Sequence, residues 1–249
     1  MLVGSDIVDD DRYESLLRWR RGEDDVVLPT DFIEIAEETG LIIPLGEWVI
    51  RSAIAEAAQW PEHISVAINL SPIQMTNPAL ISTIINALAS NNLNPSRVEF
   101  EITESVLLEE TEANMKTLHA IRGLGAKVAL DDFGTGFSSL NYLRAFPFDK
   151  IKIDKCFVTD METRKDCRAI VAAVLDLANA LDMRTTAEGI EQKKQVEMLS
   201  EMGCAEVQGF LFSEPIPGRD LPKRKELNET PETTDDEPIV LADRFARLA

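Results

Sequence analysis

The chain has 249 residues, 45% of them hydrophobic, and its 44 acidic residues against 25 basic ones give a formal charge of −19. That length and hydrophobicity fit one large core, and charge of that sign disfavours nucleic-acid polymers and anionic membranes as partners. No run approaches the ~18 apolar residues of a membrane span, and the opening MLVGSDIVDDD carries acids where a secretory signal would carry bases, so a cytoplasmic location without membrane contact is expected.

In chain order, short β-branched or apolar runs alternate with longer helical patterns, the signature of repeated βα units and a parallel sheet. Strands are predicted over 13–19, 64–70, 97–103, 127–131, 150–154, 184–188 and 206–212. Helices are predicted over 31–39, with Thr30 as N-cap and Gly40 just past the end, and over 45–60, stopped by Pro61. Two more are predicted over 163–181 and over 192–202, the latter closed by Gly203. Seven strands with interleaved helices approach a (β/α)8 barrel, which typically needs about 250 residues. The eighth strand belongs before Tyr13, where only a short run is available, so it is expected to be short or missing.

The barrel is assigned to residues 1–221 and an acidic linker and tail to residues 222–249. Segment 226–237, ELNETPETTDDE, carries six acids and no base and reads as solvated. The final PIVLADRFARLA reads as a frayed end, with a short docking helix as the alternative. Cys156, Cys167 and Cys204 lack CxxC spacing and read as free thiols in a reducing compartment.

In a parallel barrel the strand C-terminal ends converge on one face, and polar residues there read as site residues. The rule selects Asn69, Glu101, Glu104, Asp131, Asp132, Lys152, Asp154, Glu188, Glu191 and Gln208, with Glu14 near the middle of its strand. Several carboxylates in one pocket repel unless cations sit among them, and an all-oxygen ligand set suits Mg²⁺ or Mn²⁺. With only His63 and His119 in the chain, histidine-based metal binding has almost no material, and His119 reads as a surface or packing residue.

Asp131 and Asp132 would point to opposite sides of an ideal strand, but where the backbone turns at a strand end both can reach one site. A bridging carboxylate then favours two metals about 3.5–4 Å apart, the usual device for in-line attack on a phosphodiester. Lys152 is a fixed positive charge for orienting water or stabilising the phosphorane, and Gly134 and Gly136 permit a strained or flexible loop beside the metals. Taken singly these residues have plainer readings, Asp-Asp before Gly as a turn and Lys152 with Asp154 as an ion pair. It is their recurrence at successive strand ends that points to a site.

In order, Glu14-Ser-Leu-Leu-Arg-Trp19, Asn69-Leu-Ser71, Glu101-Ile-Thr-Glu104, the run DDFGTGFSS from Asp131, Lys152-Ile-Asp154, Ala187-Glu-Gly-Ile-Glu191 and Gln208-Gly209 resemble an EAL domain, the family of cyclic di-GMP phosphodiesterases. The resemblance runs from about residue 12 to Leu221. It implies a TIM-like barrel with an antiparallel first strand, hydrolysis of cyclic di-GMP to linear pGpG with two Mg²⁺ or Mn²⁺ ions, and a homodimer. It further implies that Glu14, Asn69, Glu101 and Asp131 hold one metal, and that Asp131, Asp132 and Glu188 hold the other. Lys152 matches the lysine that holds the nucleophilic water, Glu188 a general base, and Arg18 a phosphate contact. Gln208 matches a residue near the substrate, Asp154 and Glu191 are further candidates for substrate contact, and Glu104 matches an anchor for the loop after the paired aspartates.

Two departures stand out. The name motif reads Glu-Ser-Leu, which keeps the acid, and the Gln-Pro usual in the first strand does not occur in MLVGSDIV. The first is expected to have little effect, and weakened barrel closure and lower substrate affinity are the expected consequences of the second. The alternatives are a catalytically weak or inactive cyclic di-GMP receptor acting through protein contacts, and an enolase-like barrel in which Lys152 abstracts a proton. The second leaves DDFGTG and Asn69 unexplained.

Overall fold

The structure is a computed structural model that describes residues 2–5, 7–9, 12–22, 25–104, 106, 112–135, 143, 146–218 and 221. Residues 222–249, including the acidic segment and the terminal PIVLADRFARLA, and Gly136 lie outside them.

Seven parallel strands form the wall: β3 (Arg12–Arg20), β5 (Ser65–Leu70), β6 (Val98–Thr103), β7 (Lys127–Phe133), β8 (Lys150–Ile153), β9 (Arg184–Ala187) and β10 (Glu206–Val207). Each pairs with the next in that order. Two short strands, β1 (Leu2–Ser5) and β2 (Ile7–Asp9), pair antiparallel with β3, and β1 also pairs with β11 (Ile216–Pro217). β2 approaches β10, so the sheet curves back on itself into a TIM-like barrel. The first strand is short but present, and it covers the edge of β3 that would otherwise be bare. A further ribbon, β4 (Val26–Val27), pairs with the end of β3.

Period-two alternation sends the apolar side chains of these strands outward under the helices and the polar ones into the lumen. Val98, Phe100 and Ile102 of β6 belong to the hydrophobic core, while Glu99 and Glu101 between them are buried on the other face. β8 repeats the pattern, with Ile151 and Ile153 in the core and Lys150 and Lys152 buried between strands. The outer layer is completed by helices Ile42–Ala57, Leu80–Asn91, Glu112–Gly123, Lys165–Ala180 and Lys193–Glu201. Trp60 anchors the end of the first of these, 2% exposed and edge-on to Tyr13 at 5.2 Å. His119 packs its ring against Phe146, and Cys156, Cys167 and Cys204 are free.

Three expectations are corrected. The helix predicted over 45–60 begins at Ile42, with Pro44 inside its first turn, where a missing N–H costs nothing. Segment 31–39 splits into a 3-10 turn, Pro29–Asp31, and a helix, Ile33–Glu38, whose N-cap is Phe32 without a side-chain hydrogen bond rather than Thr30. The strand predicted over 206–212 ends at Val207, because Gly209 passes close over Ile190 and Ile190 carries the next hydrogen bonds. The Ile190 N–H donates to the Gln208 carbonyl at 3.0 Å, and the Leu211 N–H donates to the Ile190 carbonyl at 2.9 Å.

Candidate active site

The lumen face of each wall strand delivers one polar side chain to the same depth. Lys152 lies at the centre, 1% exposed, with its Nζ 2.6 Å from Glu188 Oε1, 2.9 Å from Glu101 Oε2, 3.2 Å from Asp131 Oδ1 and 3.7 Å from Glu14 Oε2. Two amides hold Glu14 from the sides: Asn69 Nδ2 donates to its Oε1 at 2.7 Å and Gln208 Nε2 to its Oε2 at 2.8 Å.

Asp132 joins the group through a backbone irregularity. The β7–β8 register shifts between Leu130 and Phe133, and Asp132 takes φ +53°, a region that asparagine and aspartate tolerate better than most residues. The turn brings carboxylate oxygens of Asp131, Asp132 and Glu188 within 4.8 Å of one another. It is held by the Asp132 N–H on Asp131 Oδ1 at 3.0 Å and by the Thr135 hydroxyl on the Asp132 carbonyl at 2.8 Å.

The electrostatics follow from five carboxylates facing one ammonium, a charge of −4 when all are ionised. Burial alone would depress Lys152, but Glu101, Glu14, Glu188 and Asp131 outweigh it and hold the ammonium well above its usual range. Glu14 is pulled down: burial opposes ionisation, yet Lys152 and the two amide donors prevail. Glu101 is pushed well up by burial and the neighbouring acids, and its Oε1 is buried without a partner. Burial, followed by Asp131 and Asp154, raises Asp132 to about 6. Burial, against the pull of Lys152 and with the push of Asp131, raises Glu188 to about 7. The cluster thus carries more acid than one lysine neutralises.

Glu14, Asn69, Glu101, Asp131, Asp132, Lys152, Glu188 and Gln208 therefore meet in one place. Asp154 stands at its margin, hydrogen-bonded with Asp132 while its Oδ1 accepts from the Cys156 N–H and caps the helix Lys155–Asp160. Glu104 is buried and its Oε2 accepts from the Gly134 N–H at 3.4 Å, just past the paired aspartates. Arg18 lies on the same strand face as Glu14, about 13 Å further along, and donates to the Leu17 carbonyl at 2.8 Å. Glu191 is exposed, its backbone N–H on Gln195 Oε1 at 2.9 Å, and no hydrogen bond or ion pair joins its side chain to the cluster. Arg12, Glu99, Lys150 and Glu206, buried beneath the cluster, escaped the strand-end rule. The signal was there, since each stands two residues before a selected residue.

The cluster fits divalent cations. Its donors are oxygens, Glu101 Oε1 and Gln208 Oε1 are buried with no partner, and an Asn69 amide donating through Nδ2 keeps its oxygen for a ligand role. Among the described residues no helix is long and apolar enough to cross a membrane.

Comparison with known proteins gives the family. The EAL domain model matches residues 6–215. Protein y4lL of Sinorhizobium fredii is 52% identical over 205 residues, 82% of this chain but 25% of its own; the chain spans about a quarter to a third of the length of the curated relatives it matches. The solved structure of the MucR phosphodiesterase of Pseudomonas aeruginosa with cyclic di-GMP superposes with a TM-score of 0.83 at 34% identity, covering 88% of this chain and 92% of that one. BlrP1 of Klebsiella pneumoniae, solved with manganese and cyclic di-GMP, gives 0.78 at 30% identity, covering 87% of this chain and 56% of its own. The chain belongs to the EAL domain family.

Proposed function

We propose that this chain is a metal-dependent phosphodiesterase that hydrolyses cyclic di-GMP to linear pGpG, and that it works as a homodimer in the cytoplasm. The observation that carries the reading is the charge of the cluster: five carboxylates around one buried lysine leave −4 when all are ionised, which two divalent cations balance. Glu14, Asn69, Glu101 and Asp131 would hold one Mg²⁺ or Mn²⁺, and Asp131, Asp132 and Glu188 the other, with Asp131 shared. Bound there, the cations supply Lewis acidity for water activation and for charge developing on the phosphate, and they draw the raised acids back to their ionised forms.

The chain's own residues do the rest. Lys152, its ammonium fixed by Glu101 and Glu188, holds the attacking water and faces the phosphorane. Glu188 accepts the water proton as the new P–O bond forms and the P–O3′ bond breaks, and the leaving O3′ takes a proton from solvent to become the free hydroxyl of pGpG. Arg18, toward the open end of β3, meets a phosphate; Gln208, Asp154 and Glu191 line the substrate side. Glu104, through Gly134, anchors the loop that follows Asp132.

Incubation with cyclic di-GMP and Mg²⁺ or Mn²⁺ tests the reading, with chelated samples as control. Product pGpG that disappears with chelator supports it, binding without product supports a receptor instead, and the absence of both binding and product rules out cyclic di-GMP as the substrate.

A further inference from the structure

Two residues before five members of the cluster, on the same face of the chain and thus about 6.6 Å deeper, the lumen carries a second polar layer. Arg12 precedes Glu14, Glu99 precedes Glu101, Lys150 precedes Lys152, Thr186 precedes Glu188 and Glu206 precedes Gln208, and all five of these deeper residues are buried. They bind one another. Arg12 pairs with Glu99, and its Nη2 lies 3.3 Å from Glu206 Oε2. Lys150 Nζ lies 2.6 Å from Glu206 Oε2 and 3.4 Å from Glu99 Oε1, and the Thr186 hydroxyl donates to Glu206 Oε2 at 2.9 Å.

Two buried cations, Arg12 and Lys150, face two carboxylates here, and the largely exposed Arg184 adds a third at 3.2 Å from Glu206 Oε1, so this layer, unlike the one above it, requires no added cation. Barrel interiors are usually filled by branched apolar side chains, and four desolvated charges are a poor source of stability beside such packing. A directional network does supply register. The charged members sit on β3, β6, β8 and β10, and in the sheet order β5, β7 and β9 separate them. Backbone ladders fix only neighbouring strands; this network spans the lumen and fixes alternate ones.

Resting on the hydrolytic two-cation reading of the cluster above, we propose that Arg12, Glu99, Lys150 and Glu206 are positioning residues. By tying β3, β6, β8 and β10 together they make Glu14, Glu101, Lys152 and Gln208 converge at the depth where cations and water are held.

The test replaces the whole layer at once, combining Arg12→Met, Glu99→Met, Lys150→Met and Glu206→Met, so that no charge is left buried alone. The expected protein melts cooperatively at or above the wild-type temperature, while Mn²⁺ affinity measured by titration and kcat both fall roughly tenfold to a hundredfold, with KM for cyclic di-GMP changing less. A folded variant with wild-type Mn²⁺ affinity and kcat overturns the positioning role. Should that combination not fold, Thr186→Val, which removes only the hydroxyl on Glu206, carries the test: a smaller loss in the same two readouts is expected, and unchanged values overturn the proposal. A wild-type protein that binds Mn²⁺ yet yields no pGpG overturns the functional reading alone, since Mn²⁺ affinity still separates the variants.

Discussion

Replacing Lys152 by methionine removes the cation that Glu14, Glu101, Asp131 and Glu188 share as an ion-pair partner while roughly keeping the side-chain volume. Breaking a buried ionic arrangement on one side costs about 3–5 kcal/mol, because the remaining charges lose their partner. At ~2–4 °C per kcal/mol for a domain of this size, the metal-free variant should melt roughly 6–20 °C below wild type. The lower half of that range is expected at neutral pH, where Glu101 and Glu188, already raised by burial, take up protons and relieve part of the repulsion. Divalent cations should then do what the lysine did. Mn²⁺ at a hundredfold excess over its Kd stabilises by about 2.7 kcal/mol, so the variant should gain more from Mn²⁺ than wild type does, without regaining turnover. Differential scanning calorimetry with and without Mn²⁺ reads both effects. A metal-free variant that melts with the wild type, or one whose melt ignores Mn²⁺, would contradict the role given to Lys152 as the cluster's internal counter-ion.

Glu14→Ala and Asp131→Ala should each reduce pGpG formation below detection in a chromatographic assay, since each removes a carboxylate from the cation site; an unchanged rate in either would sink the assignment of two cations. The raised values of Asp132, about 6, and Glu188, about 7, set the pH response of the metal-free chain. Folded-state pKa values above the unfolded ones mean that stability is fully present below about pH 4 and is lost as pH rises through about 7. The metal-free melting temperature should therefore fall between pH 5 and 8 while Mn²⁺ affinity rises and binding releases protons, which calorimetric titration in buffers of different ionisation enthalpy detects; a flat response contradicts it. Gly209→Ala would place a Cβ 2.2 Å from the Ile190 nitrogen and 2.3 Å from its carbonyl oxygen. The resulting backbone shift should cost about 1–3 kcal/mol in denaturant unfolding and slow turnover by displacing Gln208 from Glu14; wild-type stability would show that the contact is soft.

The cluster was readable from the chain because strand alternation and the strand-end rule both point to it, and Lys152-Ile-Asp154 or Glu101-Ile-Thr103 place a polar side chain every second residue. The same alternation extended two residues back would have found Arg12, Glu99, Lys150 and Glu206, but the rule looks only at strand ends. Asp-Asp before Gly reads as a turn, but nothing in the sequence marks Asp132 itself as the residue that takes the left-handed conformation. QGFLF reads as strand from its apolar side chains, and only the three-dimensional approach of Gly209 to Ile190 ends it. Arg18 and Glu191 show the converse limit: a residue can match a motif and still stand apart from the cluster.

The most direct measurement is a Mn²⁺ titration of the metal-stripped chain in which bound metal and the rate of pGpG formation are followed together. Two Mn²⁺ ions should bind per chain, and hydrolysis should appear as the second site fills. Full-rate hydrolysis in the presence of chelator, or saturation with Mn²⁺ without any pGpG, would contradict a two-cation phosphodiesterase built around Lys152.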